Sequence, residues 1–294
     1  MNNVKTVSAI ITTCNRCTSL IKAIESVYRQ TIAPFEVIVV DDCSEDNTRG
    51  VINELQQSYS NLIYLRLPER SGACVARNQG RLLAKGEFIA GLDDDDTWMP
   101  RRLEVLTGVY DDKYSFVTSQ DEYYNNKNSW VTEKPSNIDL ELLLHSNCVG
   151  NQVLVKKSRL DAIDGFDERL PSAQDYDTWV RLVKMFGPAR ICEEPLQRVC
   201  MDQGNIRITS SSNKWKGYWM FYNKHKPLMS RRNRKSQLVG LYLASGKCPS
   251  KRTFISLLTI PNWRTWLWHW LMTQPLRVKA RKYYKPALRL FSKK

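Results

Sequence analysis

Short apolar runs alternate with segments of helical periodicity along the first part of the chain. Val7 to Thr12 reads as a buried strand, Phe35 to Val40 as a second and Leu62 to Leu67 as a third. Between the first two, Thr18 to Gln30 places Leu20, Ile21, Ile24, Val27 and Tyr28 on one helical face. A second helix runs through Val51, Ile52 and Leu55, capped by Asp46 or Asn47, and a third spans Gly72 to Ala84. Phe88 to Leu92 is the fourth strand. This order predicts an α/β fold, a doubly wound and mostly parallel sheet flanked by helices. Ligands of such sheets bind beyond the carboxyl ends of the strands. Thr12-Thr13, Asp41-Asp42 and Asp93 to Asp96 all lie at such ends, so one cleft should collect them.

Past Met99 the pattern loosens. Helices are expected at Arg101 to Tyr110, Ile138 to His145 and Asp175 to Phe186, with short strands at Ser115 to Thr118, Trp130 to Thr132 and Gln152 to Val155. Beyond Asn213 the chain reads as helical, with Pro261 and Pro275 bracketing a Trp-rich segment.

Charge divides the 294 residues in two. The formal net charge is +14, yet residues 1–202 carry 23 Lys and Arg against 30 acids, and residues 203–294 carry 21 bases and no acid. Six of the nine tryptophans (215, 219, 263, 266, 268 and 270) share that basic region. Bases interleaved with aromatics suit an anionic membrane surface. They also suit RNA or single-stranded DNA, or the core of a basic helical subdomain. The expected division is 1–212 for the α/β domain, with a nucleotide-binding half to about 100 and an acceptor half over 101–212, and 213–294 for a basic, aromatic tail. No apolar run is long enough to cross a bilayer, and the N-terminus lacks a basic-then-apolar leader, so a cytoplasmic protein lying on the membrane is expected. Eight scattered cysteines, including the lone Cys14-x-x-Cys17, read as free thiols.

Asp93 to Asp96 close the fourth strand with four carboxylates. Such a clump is either a solvated acidic turn or a site for a hard divalent cation such as Mg²⁺ or Mn²⁺, which takes carboxylate and phosphate oxygens. Like charges repel, and no neutralising group stands beside them in the sequence.

Six segments carry a resemblance: "SAIITTCNR" (8–16), "FEVIVVDDCSEDNT" (35–48), "GACVARNQG" (72–80), "EFIAGLDDDDTWMP" (87–100), "GFDERL" (165–170) and "QDYDTWVRL" (174–182). In this order and spacing they resemble the family 2 glycosyltransferases of the GT-A fold, over about residues 6–212. The resemblance implies that Thr12 and Asn15 line a uridine site and that Asp42 accepts a hydrogen bond from the base, whose ring N3–H is a donor. Arg77 would lie near the nucleotide or its diphosphate, Asp93 and Asp95 would hold the metal, and Asp94 would contact the ribose. Asp175 would be the general base that activates an acceptor hydroxyl. Simpler roles stand beside these: Asp41, Asp42 and Asp175 as helix caps, and Arg77 as a surface arginine. Asp177 reads as a helix-face residue.

Two departures from the family pattern matter. The paired acids at the base position read Gln174-Asp175 here, and 197–202 lacks the histidine that many relatives use as a further metal ligand, leaving only Cys200, too soft for Mg²⁺, and Asp202. The Q-x-x-R-W signature of processive synthases is also missing, so one sugar per cycle is implied. The resemblance thus implies an inverting, Mn²⁺- or Mg²⁺-dependent transfer of one hexose, glucose or galactose first, from a UDP-sugar to a lipid-diphosphate-linked acceptor. The setting would be bacterial O-antigen, capsule or lipopolysaccharide synthesis at the cytoplasmic face of the inner membrane. Residues 121–130 and 147–150 would face the acceptor, and no nucleic acid is expected as partner. Three alternatives are a nucleotidyltransferase, for which no glycine-rich triphosphate loop is found, a nucleic-acid-binding protein, and a non-catalytic sugar-nucleotide binder.

Overall fold

A computed structural model of the protein describes residues 5–150, 152–201 and 214–258, with Leu267 and Trp270. Its first half runs β1 (Val7–Thr13), α1 (Cys17–Tyr28), β2 (Glu36–Asp41), α2 (Thr48–Ser58), β3 (Leu62–Arg66), α3 (Ala73–Leu83) and β4 (Phe88–Asp93). β1 pairs in parallel with β2 and β4, and β2 with β3. The unbroken apolar runs follow from burial on both sheet faces. Val37 and Val39 pack with Leu20, Ile24 and Ile52 on one side, whereas Ile38 and Val40 pack with Cys74 and Ala76 on the other.

The second half adds β5 (Thr97–Trp98), α4 (Arg102–Val109), β6 (Val117–Tyr124), β7 (Ser129–Thr132), β8 (Asn137–Ile138), α5 (Leu140–His145), β9 (Leu154–Lys156), α6 (Lys157–Ala162), α7 (Gln174–Phe186) and β10 (Ala189–Cys200). The sheet order is β3-β2-β1-β4-β9-β6-β10-β5, with β7 on β6 and β8 on β10. β9 is antiparallel to both β4 and β6. β6 and β10 therefore run in the direction of β4 and end on its side of the sheet.

The two longest strands differ most from the sequence expectation, beside the unexpected two-residue strands β5 and β8. β6 does not stop at Thr118 but continues to Tyr124, because its buried polar residues have partners. Arg102 donates to Ser119 Oγ at 2.9 Å, Gln120 Nε2 donates to the Lys134 carbonyl, and Asp121 pairs with Lys134 at 2.6 Å. β10 carries no clear period because Glu193-Glu194-Pro195 interrupts it, and the strand bridges that interruption with register shifts at Pro195. Proline has no N–H to give a ladder, so an irregularity is where it belongs.

The C-terminal helices α8 (Lys214–His225), α9 (Arg231–Ser245) and α10 (Lys251–Leu257) follow, with a 3₁₀ turn at Lys226–Leu228. The expected boundary at 212/213 does not separate two cores: Phe221, Tyr222 and Met229 join the cluster built by Leu143, Tyr176 and Trp179. Trp219 and Met220 stay outside it, 45% and 38% exposed beside exposed Lys216. Asp202 and, apart from Leu267 and Trp270, the Trp-rich segment lie outside the described residues. Among the described residues no helix is long and apolar enough to cross a membrane. All eight cysteines are free.

Candidate active site

The parallel register sets the first contacts. Thr12 of β1 stands opposite Asp93 of β4, and Thr13 opposite Asp41 of β2. Half-buried Thr12 also lines an apolar cavity of about 30 Å³ with Arg77, Gln152, Phe166 and Trp179. Beyond β1 the chain turns at Asn15, whose φ of 57° lies in the left-handed region that asparagine tolerates. Asn15 ties this loop to the one after β2: its N–H donates to Ser44 Oγ at 2.8 Å, and its Oδ1 accepts from the Glu45 N–H at 2.6 Å. Asp42 accepts from the Ser71 and Gly72 backbone N–H groups at 2.6 and 3.0 Å, so it braces the loop that enters α3. Asp41 is fully buried and accepts from the Tyr64 hydroxyl at 2.7 Å and the Ser44 N–H at 2.8 Å. Neither aspartate caps α2; Asp46 does part of that work by accepting from the Thr48 N–H.

The four aspartates turn different ways. Asp93, Asp95 and Asp96 place carboxylate oxygens within 4.8 Å of one another. Hard oxygen donors gathered this closely fit Mg²⁺ or Mn²⁺, so the residues present suit the cation that the sequence implies. Asp96 was not among the expected ligands; Gln197 Nε2 and the Cys200 N–H of β10 donate to it at 3.2 and 3.4 Å. Asp94 points elsewhere, accepting from the Thr13 hydroxyl at 2.7 Å and from Arg16 Nη1 at 3.0 Å. Burial pushes the Asp94 carboxyl up to about 6, against the pull of Arg16.

The expectation that nothing neutralises these acids is corrected by two arginines from distant segments. Arg16 Nη1 also reaches Asp95 Oδ2 at 2.9 Å. Arg77, on α3, splits its guanidinium: Nη2 meets Asp93 at 3.0 Å and Nη1 meets Asp175 at 2.8 Å. Burial alone would lower the Arg77 pKa, but those two carboxylates raise it. Arg77 is therefore no surface arginine. Its side chain is only 12% exposed, its guanidinium lies 5.4 Å from the Phe166 ring, and it stands between the acid corner and Asp175.

Asp175 sits in the first turn of α7, where the helix dipole favours an anion. It does not cap that helix. The cap position is Ala173, in the left-handed region at φ 60° and without a side-chain bond to the first turn. Burial pushes the Asp175 carboxyl up to about 6, Arg77 pulls it down, and Asp93 adds to the rise. A carboxylate with this pKa is ionised at neutral pH yet remains a competent proton acceptor.

Sequence reasoning missed Arg16, Asp96 and Gln152. Gln152 Nε2 donates to Asp93 Oδ1 at 2.6 Å from a buried position, and Gly91 makes the approach feasible. A Cβ at Gly91 would come within 1.8 Å of Gln152 Oε1. The sequence shows only a polar residue ahead of the apolar stretch Val153-Leu154-Val155, which does not name its partner. Asp177, read as a helix-face residue, lies on a buried face of α7: it is fully buried and pairs with Arg181, Lys224 and His225. Of the stretch expected to face an acceptor, Asp121 is buried against Lys134, whereas Trp130 is 42% exposed and stacks on Tyr123.

Comparison with known proteins places the chain in a family. The family model of glycosyl transferase family 2 matches residues 8–165. WcaA of Escherichia coli strain K12, named as a colanic acid biosynthesis glycosyl transferase, is 36% identical over 89% of this chain and 96% of its own. WfgD of Escherichia coli, named a UDP-Glc:α-D-GlcNAc-diphosphoundecaprenol β-1,3-glucosyltransferase, is 32% identical over 71% of this chain and 81% of its own. Among solved structures, S. aureus TarS 1-349 in complex with UDP-GlcNAc superposes with a TM-score of 0.64 at 18% identity, covering 94% of this chain and 83% of that one. With the profile spanning more than half of its length and a full-length relative above a third identity, this chain belongs to glycosyl transferase family 2 and is a glycosyltransferase of the GT-A fold.

Proposed function

We propose that this enzyme is an inverting, non-processive hexosyltransferase that moves one glucose or galactose from a UDP-sugar to a lipid-diphosphate-linked saccharide in bacterial surface polysaccharide synthesis. One observation supports the reading: a single guanidinium, that of Arg77, pairs with both Asp175 and Asp93, which brings the proposed proton acceptor next to the acidic corner. The activity in WfgD's name supports the donor and acceptor classes, and that in WcaA's name supports the polysaccharide setting.

In this reading Thr12, Asn15 and Asp42, at the ends of β1 and β2, hold the nucleotide, with Asp94 toward the ribose and Arg77 toward the diphosphate. Asp93, Asp95 and Asp96 would hold Mn²⁺ or Mg²⁺, which supplies charge neutralisation for the departing diphosphate. Asp175 accepts the proton of the acceptor hydroxyl as that oxygen forms its bond to the anomeric carbon. The bond to the diphosphate breaks on the opposite face, so configuration inverts and a β linkage results. The basic, aromatic C-terminal residues bring the enzyme to the anionic cytoplasmic leaflet, where a lipid-linked acceptor resides.

The test is Asp175→Asn. This variant should bind UDP-sugar and Mn²⁺ as the parent does and lose at least about a hundredfold in transfer, in the range expected for removing a general base. Full turnover by it, measured as UDP release with a lipid-diphosphate-linked GlcNAc acceptor, would remove Asp175 from the mechanism.

A further inference from the structure

The start of α7 carries Asp175 but does not hold itself in place. Its cap residue Ala173 has a positive φ and makes no side-chain bond to the first turn. Such strain in a non-glycine residue persists only where surrounding structure fixes it. The fixing comes from α8 and α9. Ser172 Oγ donates to the Lys214 carbonyl at 2.7 Å, and Gly217 packs so closely that a Cβ there would lie 2.4 Å from the Ser172 carbonyl oxygen. Tyr176 stacks on Phe221 with ring centroids 4.1 Å apart, and its hydroxyl accepts from Gln237 Nε2 at 2.7 Å. Gln237 Nε2 also reaches the Leu144 carbonyl at 2.8 Å, joining α5 to the same point. His225 Nε2 donates to Asp177 Oδ1 at 2.8 Å; a carboxylate only accepts, so that nitrogen carries the proton.

We infer that Gln237 and His225 are positioning residues for transfer. They hold the two residues that directly follow Asp175, and so fix the direction in which its carboxylate faces the acid corner. The inference rests on the functional reading above. It extends that reading to a region outside the family profile, which ends at residue 165. Gln237 and His225 are both less than a tenth exposed and neither touches Arg77 or the four aspartates in any bond described above, so they act on the reaction only through α7.

Full-length Gln237→Leu and His225→Phe should each lower kcat by about ten- to a hundredfold, the scale that a misplacement of about 1 Å produces. Kd for UDP-glucose or UDP-galactose with Mn²⁺ should be unchanged, and circular dichroism should show a folded protein. His225→Gln, which keeps an N–H for Asp177, should restore most of the rate. Amide exchange at residues 174–178 should accelerate in the two disruptive variants and return to the parent rate in His225→Gln. Should Gln237→Leu not fold, Tyr176→Phe removes only the hydroxyl that Gln237 holds and should lower kcat in the same direction. Folded variants with kcat within twofold of the parent, or with unchanged exchange at 174–178, would reduce these contacts to packing and overturn the inference. A parent enzyme that transfers from neither UDP-hexose would instead refute the functional reading, a different result that the exchange measurement does not depend on.

Discussion

At the scale of single residues, the site is a set of carboxylates distinguished by their neighbours. Half-buried Asp175 pairs with one arginine, and its carboxyl, pushed up to about 6, gives a directional prediction. In the proposed mechanism Asp175 must be ionised, so kcat/KM, which reports the free enzyme, should fall as pH drops through about 6 and level off above it. The same shift has the opposite sign for stability: the folded form binds this proton more tightly than the unfolded chain. That contribution is complete below the ordinary carboxyl pKa and is lost as pH rises through about 6. A second prediction concerns Asp93. Gly91→Ala would drive Gln152 off Asp93, because the added methyl meets Gln152 Oε1 at 1.8 Å. Losing such an outer partner should weaken Mn²⁺ binding about ten- to a hundredfold, measurable by calorimetric titration. Asp93, Asp94, Asp95 and Asp175 could be singled out in the sequence because each sits at a strand or helix end inside a recognisable motif. Arg16, Gln152 and Asp96 were not, because their roles follow from which distant side chain reaches them, and no local pattern encodes that.

At the scale of elements, legibility tracked how much of each strand was apolar. β1, β2 and β4 are covered on both faces and the edge strand β3 partly so, and their apolar runs gave their positions to within a residue or two. β10 was missed: it buries some positions, exposes Glu193 and Glu194, and bends at Pro195, leaving no period to read. β6 was cut short because Ser119, Gln120 and Asp121 look like surface residues until Arg102 and Lys134 pair with them. Helix α7 was legible through Trp179, Leu182, Val183 and Phe186, and its packing supports a stability prediction. Trp179 is almost fully buried, lies 5.3 Å from the Phe116 ring, and donates its indole N–H to the Gly150 carbonyl at 3.0 Å. Trp179→Ala should cost about 3–5 kcal/mol in urea unfolding, the usual penalty for emptying a large aromatic site.

At the scale of the whole molecule, described helices of the basic part share a core with the acidic part. Helices α8 and α9 complete the core around α7, so a truncation at 213 would strip Phe221, Tyr222 and Met229 from it. A truncation after 258 is the cleaner test of membrane association, since it removes nine basic residues and leaves those helices whole. The shortened enzyme should keep its kcat on a water-soluble acceptor analogue and lose sedimentation with anionic vesicles. Binding of the full chain to such vesicles should weaken as salt rises, as expected for exposed charges screened over about 10 Å or less. The brace on the helix of Asp175 also bears on how the enzyme is made. Tyr176 and Asp177 find their partners 61 and 48 residues later in the chain. A nascent chain still tethered to the ribosome near residue 200 holds the residues of β1 through β4 but not the partners of Tyr176 and Asp177. With Asp175 as the proposed base and α9 as its proposed brace, competence would arrive only once α9 has left the exit tunnel, and unfinished chains would hold a sugar nucleotide without an oriented proton acceptor.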